Sequence, residues 1–172
     1  MKKLVFGFLI LVCSFQLFAQ EGQTASIKYA VSIEGGYHAG LREAAGMECV
    51  VVNGIRIDQQ HVFGLGIGIG GMINYGVYCP VFANYRYYFT TSTTFTPHVN
   101  VALGGIIFED SGGLYSTFTT GFTQRKFTLS TGLFIFSGQP SRVYYEYGYR
   151  DNYNYRSYRV PWGFMIKVGV AF

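Results

Sequence analysis

Six side chains, Trp162, Phe164, Ile166, Val168, Val170 and Phe172, occupy alternate positions of the segment WGFMIKVGVAF. That spacing predicts a strand with one wholly apolar face. The same period recurs upstream. Tyr29, Val31, Ile33 and Tyr37 oppose Lys28, Ser32, Glu34 and His38; Val51, Ile55 and Ile57 oppose Arg56 and Asp58; Val81, Ala83, Tyr85, Tyr87 and Phe89 oppose Phe82, Asn84, Arg86 and Tyr88. Eight strands are predicted, over 27–38, 47–57, 61–73, 79–89, 95–107, 114–123, 126–136 and 160–172. Each has roughly the 9 to 11 residues that a tilted membrane strand needs. Short connections at 58–60, 90–94 and 124–125 alternate with mostly longer ones at 39–46, 74–78, 108–113 and 137–159. No helical pattern supplies a layer to cover the apolar faces, so lipid is their simplest partner. The fold class expected is all-β: an eight-stranded antiparallel up-and-down transmembrane β-barrel, with both termini on the periplasmic side.

The charges sharpen this reading. A charge facing lipid at mid-depth costs about 2 to 4 kcal/mol, and the apolar faces carry none. A soluble, ligand-carrying barrel would have the reverse sense, with an apolar interior; parity alone does not say which face is inside, and the scarcity of charge favours the membrane. Eight strands enclose an interior that side chains can fill. Glu34, Arg56, Arg86, His98 and Lys167 are then expected to form a polar network inside a plugged cylinder, with Glu34 pairing with one or more of Arg56, Arg86 and Lys167. A narrow channel or proton path is the functional rival; packing and fold specificity are the commoner use of such groups.

Residues 1–19 have the layout of a secretory signal peptide: Lys2 and Lys3, an apolar run from Leu4 to Val12, and Ala19 at the expected cleavage point. Cys13 raises a lipoprotein anchor as an alternative, but Val12 before it is bulky for that signal. Residues 20–172 form the barrel domain, about 150 residues, enough for one domain. Aromatic residues make up 19% of the chain and charged residues 13%, with 23 glycines, a composition suited to strands and poor in solubilising charge. Without Lys2 and Lys3, eleven basic residues face nine acidic ones, a net charge of +2 that is too small for a nucleic-acid partner.

Candidate chemistry is sparse. Gly64, Gly66, Gly68, Gly70 and Gly71 alternate with Phe63, Leu65, Ile67 and Ile69 as one strand, without the helix a phosphate-binding loop requires. They are expected instead to leave room for Arg56 and Arg86. No local sequence pairs His38, His61 or His98 with a serine nucleophile, although the fold could assemble such a pair, with Ser111 and Ser141 in outer loops as conceivable nucleophiles. A lipid A-modifying hydrolase or acyltransferase is therefore only a rival, and no enzyme activity and no cofactor are expected. Cys49 and Cys79 share the parity of the apolar face on strands that are not neighbours, so two free thiols are expected, and they form no metal site.

One stretch exceeds what barrel formation explains. Between Gln139 and Arg159 lie Tyr144, Tyr145, Tyr147, Tyr149, Tyr153, Tyr155 and Tyr158, interspersed with Arg142, Arg150, Arg156 and Arg159. Asp151 and Asn152 suit a turn, giving an extracellular hairpin. Tyr and Arg are enriched in binding hot spots, so it is a candidate surface for a protein, a glycan or lipopolysaccharide phosphate. An interfacial girdle of Tyr and headgroup-pairing Arg is the simpler alternative.

A terminal strand closing on an aromatic residue, here Trp162 through Phe172, resembles the assembly signal read by the barrel-insertion machinery of bacterial outer membranes. Lys167 departs from that signal's glycine spacing. RYYF at Arg86–Phe89, TPHV at Thr96–Val99, GGLY at Gly112–Tyr115 and the closing GVAF together resemble the small outer-membrane β-barrel proteins of Bacteroidetes, similar in architecture to OmpX and the barrel of OmpA. The resemblance implies an integral outer-membrane protein, expected to be a monomer in contact with lipid and lipopolysaccharide, with no common reaction. No counterpart of the periplasmic domain of full-length OmpA is expected after Phe172.

Overall fold

A computed structural model of the chain describes residues 26–40, 45–73, 75–89, 95–108, 111–137 and 160–172. Eight strands form one closed antiparallel barrel: β1 (Ile27–Gly40), β2 (Ala45–Ile57), β3 (His61–Met72), β4 (Gly76–Tyr88), β5 (Phe95–Phe108), β6 (Gly112–Gln124), β7 (Phe127–Phe136) and β8 (Trp162–Ala171). Each strand pairs with the next in sequence, and β8 pairs with β1. Up-and-down topology therefore follows the chain without a crossover, and no strand is left as an edge. Phe172 completes the seam, since its amide donates to the Val31 carbonyl and its carbonyl accepts from the Val31 amide.

The strands run to within three residues of the boundaries expected from alternation. The largest change is at β4, which begins at Gly76 and not near Cys79, so the connection expected over 74–78 contracts to 73–75. Gly76 has φ +85°, a left-handed conformation that glycine adopts without steric cost and that starts the strand early. Pro80 lies inside β4, where it lacks the donor for a ladder bond. The β3–β4 register is correspondingly interrupted between the pairs Ile67–Val81 and Gly70–Tyr78.

Parity sorts the side chains as the period predicts. Tyr78, Tyr115, Phe134, Phe136 and Ile106 point inward and are at most 1% exposed, while Leu65, Ile67, Ile69, Phe164 and Val168 point outward and are more than half exposed. Of the inner glycines of β3, Gly66 and Gly70 make room for aromatic rings and Gly64 and Gly68 lie against Val52 and Val50, with Arg56 and Arg86 at none of them. A Cβ on Gly66 would collide with the Phe82 ring, and one on Gly70 with the Tyr78 ring. Small residues on one strand thus accept large ones from the next, which packs the narrow lumen.

At one mouth the β2–β3 turn is closed by the Gln60 amide donating to the Ile57 carbonyl at 3.2 Å. Asp58 and Gln59 both have positive φ, 50° and 62°, as a hairpin turn matching strand twist requires. Asp58 tolerates this well, and its Oδ1 also accepts from the Ser26 amide. Gln59 has no such compensation in its backbone preference. Gln59→Gly is expected to stabilise the barrel by about 0.5 to 1 kcal/mol, read as a higher urea midpoint at unchanged slope.

A buried polar column as candidate functional site

Alternation places His38 on β1, Glu48 on β2, Tyr78 on β4, Tyr115 on β6 and Lys167 on β8, all facing the axis in the half of the lumen away from the 58–60 turn. Glu48 is the hub. Lys167 Nζ lies 2.7 Å from its Oε1, and Tyr115 donates to both carboxylate oxygens at 3.0 and 3.2 Å. Tyr78 donates to Oε2 at 3.3 Å. His38 Nε2 is 3.4 Å from the same oxygen, an electrostatic contact whose angle does not make a hydrogen bond. Phe134 and Phe136 pack against the imidazole, with ring centroids 5.2 and 5.5 Å away, and exclude water from the cluster.

A second cluster lies one level closer to the turns. Glu34 on β1 is ion-paired with Arg86 on β4 and accepts from Ser32 Oγ at 3.2 Å. Arg86 also donates to Asn100 Oδ1 and to the Tyr88 hydroxyl, each at 3.4 Å. Arg56, grouped with these residues by parity, lies further towards the mouth with its guanidinium 4.9 Å from the centre of the Tyr88 ring. Lys167 joins Glu48 in its ion pair, leaving Arg86 as the ion-pair partner of Glu34 among the described residues.

His98 belongs to neither carboxylate. Its Nε2 is 3.1 Å from Ser130 Oγ, and its Nδ1 is 3.4 Å from Thr123 Oγ1, which in turn contacts Thr128 Oγ1 at 3.2 Å. This is the histidine–serine pair that local sequence did not reveal. The third position holds a hydroxyl, which cannot stabilise an imidazolium as a carboxylate does. Both residues are also shut from solvent, at 0% and 3% exposure, so a substrate carbonyl has no approach to Ser130. Ser111 lies at the other mouth, where its carbonyl accepts from the Phe108 amide at 2.8 Å.

Cys49 and Cys79 are free thiols, exposed and half-buried, on strands separated by β3. Two strand spacings set their Cα atoms about 10 Å apart, beyond disulfide reach. His61 also faces out, with Nδ1 3.0 Å from the Tyr85 hydroxyl. The alternate residues Trp162, Phe164, Ile166, Val168 and Phe172 are exposed on the outer wall, and Val170 is half-buried there. Arg142, Tyr145, Tyr147, Tyr149, Arg150, Tyr153, Tyr155, Arg156 and Tyr158 lie outside the described residues, as do Ser141 and the segment 1–19.

Glu48, Tyr78 and Tyr115 belong to this candidate site, and sequence reasoning had not singled them out. Glu48 carries the parity of Arg56 on the same strand, which would have placed it inside the lumen. Comparison with protein-family models, with curated proteins and with solved structures gave no match.

What the column can do follows from its balance. Two carboxylates face two permanent cations in a space closed by aromatic rings, so each charge is expensive without its partner. Lys167→Met is expected to cost about 3 to 5 kcal/mol because Glu48 is left uncompensated, whereas Glu48→Gln with Lys167→Met should recover most of that loss. Urea unfolding of the refolded barrel, compared across the two variants, measures the difference.

Proposed function

We propose that this chain is an integral outer-membrane β-barrel with a structural or surface-interaction role. The observation that carries the reading is the outer wall: no Asp, Glu, Lys or Arg occupies an outward position on any of the eight strands. A soluble barrel of this size would place its solubilising charge there. Large apolar side chains stand exposed around the whole circumference instead, from Ile33 and Val51 through Ile67, Val81, Leu103 and Phe118 to Leu133 and Ile166.

Polar side chains on this wall are few, among them Asn53 and Ser116, and two threonines there are satisfied internally. Thr120 and Thr131 spend their hydroxyls on the carbonyls of His98 and Met165, at 3.2 and 3.1 Å. Towards the 58–60 turn, outward aromatic residues recur from strand to strand: Tyr29, Phe63, Tyr85, Tyr87, Phe89, Phe95, Phe122, Phe127 and Phe172. Several touch, with Phe63–Tyr85 centroids 4.9 Å apart and Phe95–Phe122 4.7 Å. Such a ring suits the interfacial girdle of a membrane barrel, and the short turns at this mouth support reading it as the periplasmic one.

Lipid and lipopolysaccharide are then the outer wall's partners, the insertion machinery reads the terminal strand, and the barrel acts as a monomer. The packed lumen argues for a plug and against a channel, and the Tyr/Arg segment is the surface offered to an extracellular protein or glycan. Signal-peptide removal delivers residues 20–172 to the envelope.

The test is the electrophoretic mobility of cell-envelope fractions before and after boiling. A heat-dependent shift confined to the outer-membrane fraction is expected, with no single-channel conductance from the purified barrel in planar bilayers. Recovery as a soluble protein without a shift would overturn the reading, and steady conductance would overturn the plug.

A further inference from the structure

The periplasmic mouth holds an open cavity of about 600 Å³ that the membrane role does not use. Arg56, Arg125 and Lys126 line it, against Asp58 as the one acidic side chain among the described residues, with Tyr88, Phe89 and Phe172 as apolar walls. Asp58 is already engaged by the Ser26 amide. Arg56 also stands directly opposite Lys28 in the β1–β2 register, a like-charged cross-strand pair that is destabilising unless an anion lies between or beside it.

The state of Arg56 points to where that anion sits. Its guanidinium carbon stands 4.9 Å from the centre of the Tyr88 ring, and its buried Nε has no hydrogen-bond partner among the described residues. A buried donor without an acceptor is costly, and a guanidinium set over a ring is a fork already oriented for a tetrahedral or planar oxyanion. Arg125 and Lys126 reach the same space from the β6–β7 turn, where Arg125 has φ 56°. Lys126 Nζ lies 4.8 Å from the centre of the Phe172 ring on the cavity's rim.

We propose that this mouth is a phosphate-binding site, with the half-buried Arg56 as its fork and Arg125 and Lys126 as its rim, filled by a phosphoryl group. Such a group reaches it either as the headgroup of an anionic lipid in the inner leaflet or as a free phosphate in the periplasm. Binding to the cavity requires the barrel and its charges only; the source assigned to the ligand rests on the membrane reading.

The experiment follows the Arg56 Nε–H resonance by NMR in the purified barrel, assigned with Arg56→Lys, in a zwitterionic detergent. Inorganic phosphate is expected to move that signal saturably, while chloride at the same ionic strength does not. Arg56→Gln should weaken phosphate binding, measured by calorimetry, about tenfold or more, as loss of a charge-assisted bidentate contact does. Arg125→Gln with Lys126→Gln, on an exposed turn, should weaken it comparably and guards against a folding defect at Arg56. Transfer to phosphatidylcholine bilayers containing phosphatidylglycerol separates the sources: a shift without added phosphate assigns a lipid headgroup, and a shift only with phosphate assigns a soluble ligand. Equal responses to chloride and phosphate, unchanged affinity in both variants, or no movement of the signal in either arm would overturn the site. A heat-shift result that removed the barrel from the membrane would leave the phosphate titration standing, so the two readings fail separately.

Discussion

Closure of the hydrogen-bonded sheet, β8 on β1, is the constraint on which everything else rests. Once the last strand pairs with the first, the sheet has no open edge, its ladder interrupted only locally at Pro80 among the described strands, and each side chain is forced to one of two surfaces. A slip of one residue in β1 would carry Glu34 to the outside and Ile33 to the inside, and the same slip in β2, β4 or β8 would expose Glu48, Arg86 or Lys167. Phe172 takes part directly, since its two bonds with Val31 extend the seam past the end of β8.

Closure also explains why the polar groups gather where they do. A cylinder of eight strands has too little interior for bulk water, so charge in the lumen has to be neutralised locally. The chain meets this with two ion pairs, Glu34–Arg86 and Glu48–Lys167, each joining strands that are not neighbours. The pairs therefore tie together strands that share no ladder, while aromatic rings at Tyr78, Tyr115, Phe134 and Phe136 fill the space beside them. Arg56 and Lys28 lie outside this balance, at the mouth, where a mobile anion can reach them.

The fold was legible in the sequence because its signal is repeated. Eight stretches alternate with the same period, and the parity that sorts Val81 from Arg86 on β4 holds on β1, β2 and β8 as well. What depends on register across strands was not legible. Alternation places Glu48 and Lys167 in the lumen, but only the heights set by strand pairing bring them within 2.7 Å, and the same holds for His98 and Ser130. The glycines of β3 were recognised as spacers but assigned to the wrong neighbours, because Phe82 and Tyr78 on the adjacent strand stand at their level and the arginines do not. The early start of β4 turned on the backbone freedom of one residue, Gly76, which a hydrophobic pattern does not carry.

The central claim is that the uncharged wall faces hydrocarbon, and the chain contains its own probe of that claim. Trp162 is its one tryptophan, half exposed on the outer face at the start of β8. Its fluorescence in bilayers with bromine placed at graded depths along the acyl chains would report directly on contact with lipid. Strong quenching by shallow bromines, fading as they move towards the bilayer centre, is the result predicted for a residue at the outer end of a spanning strand. Emission that ignored the brominated lipid and yielded to aqueous iodide would contradict the account.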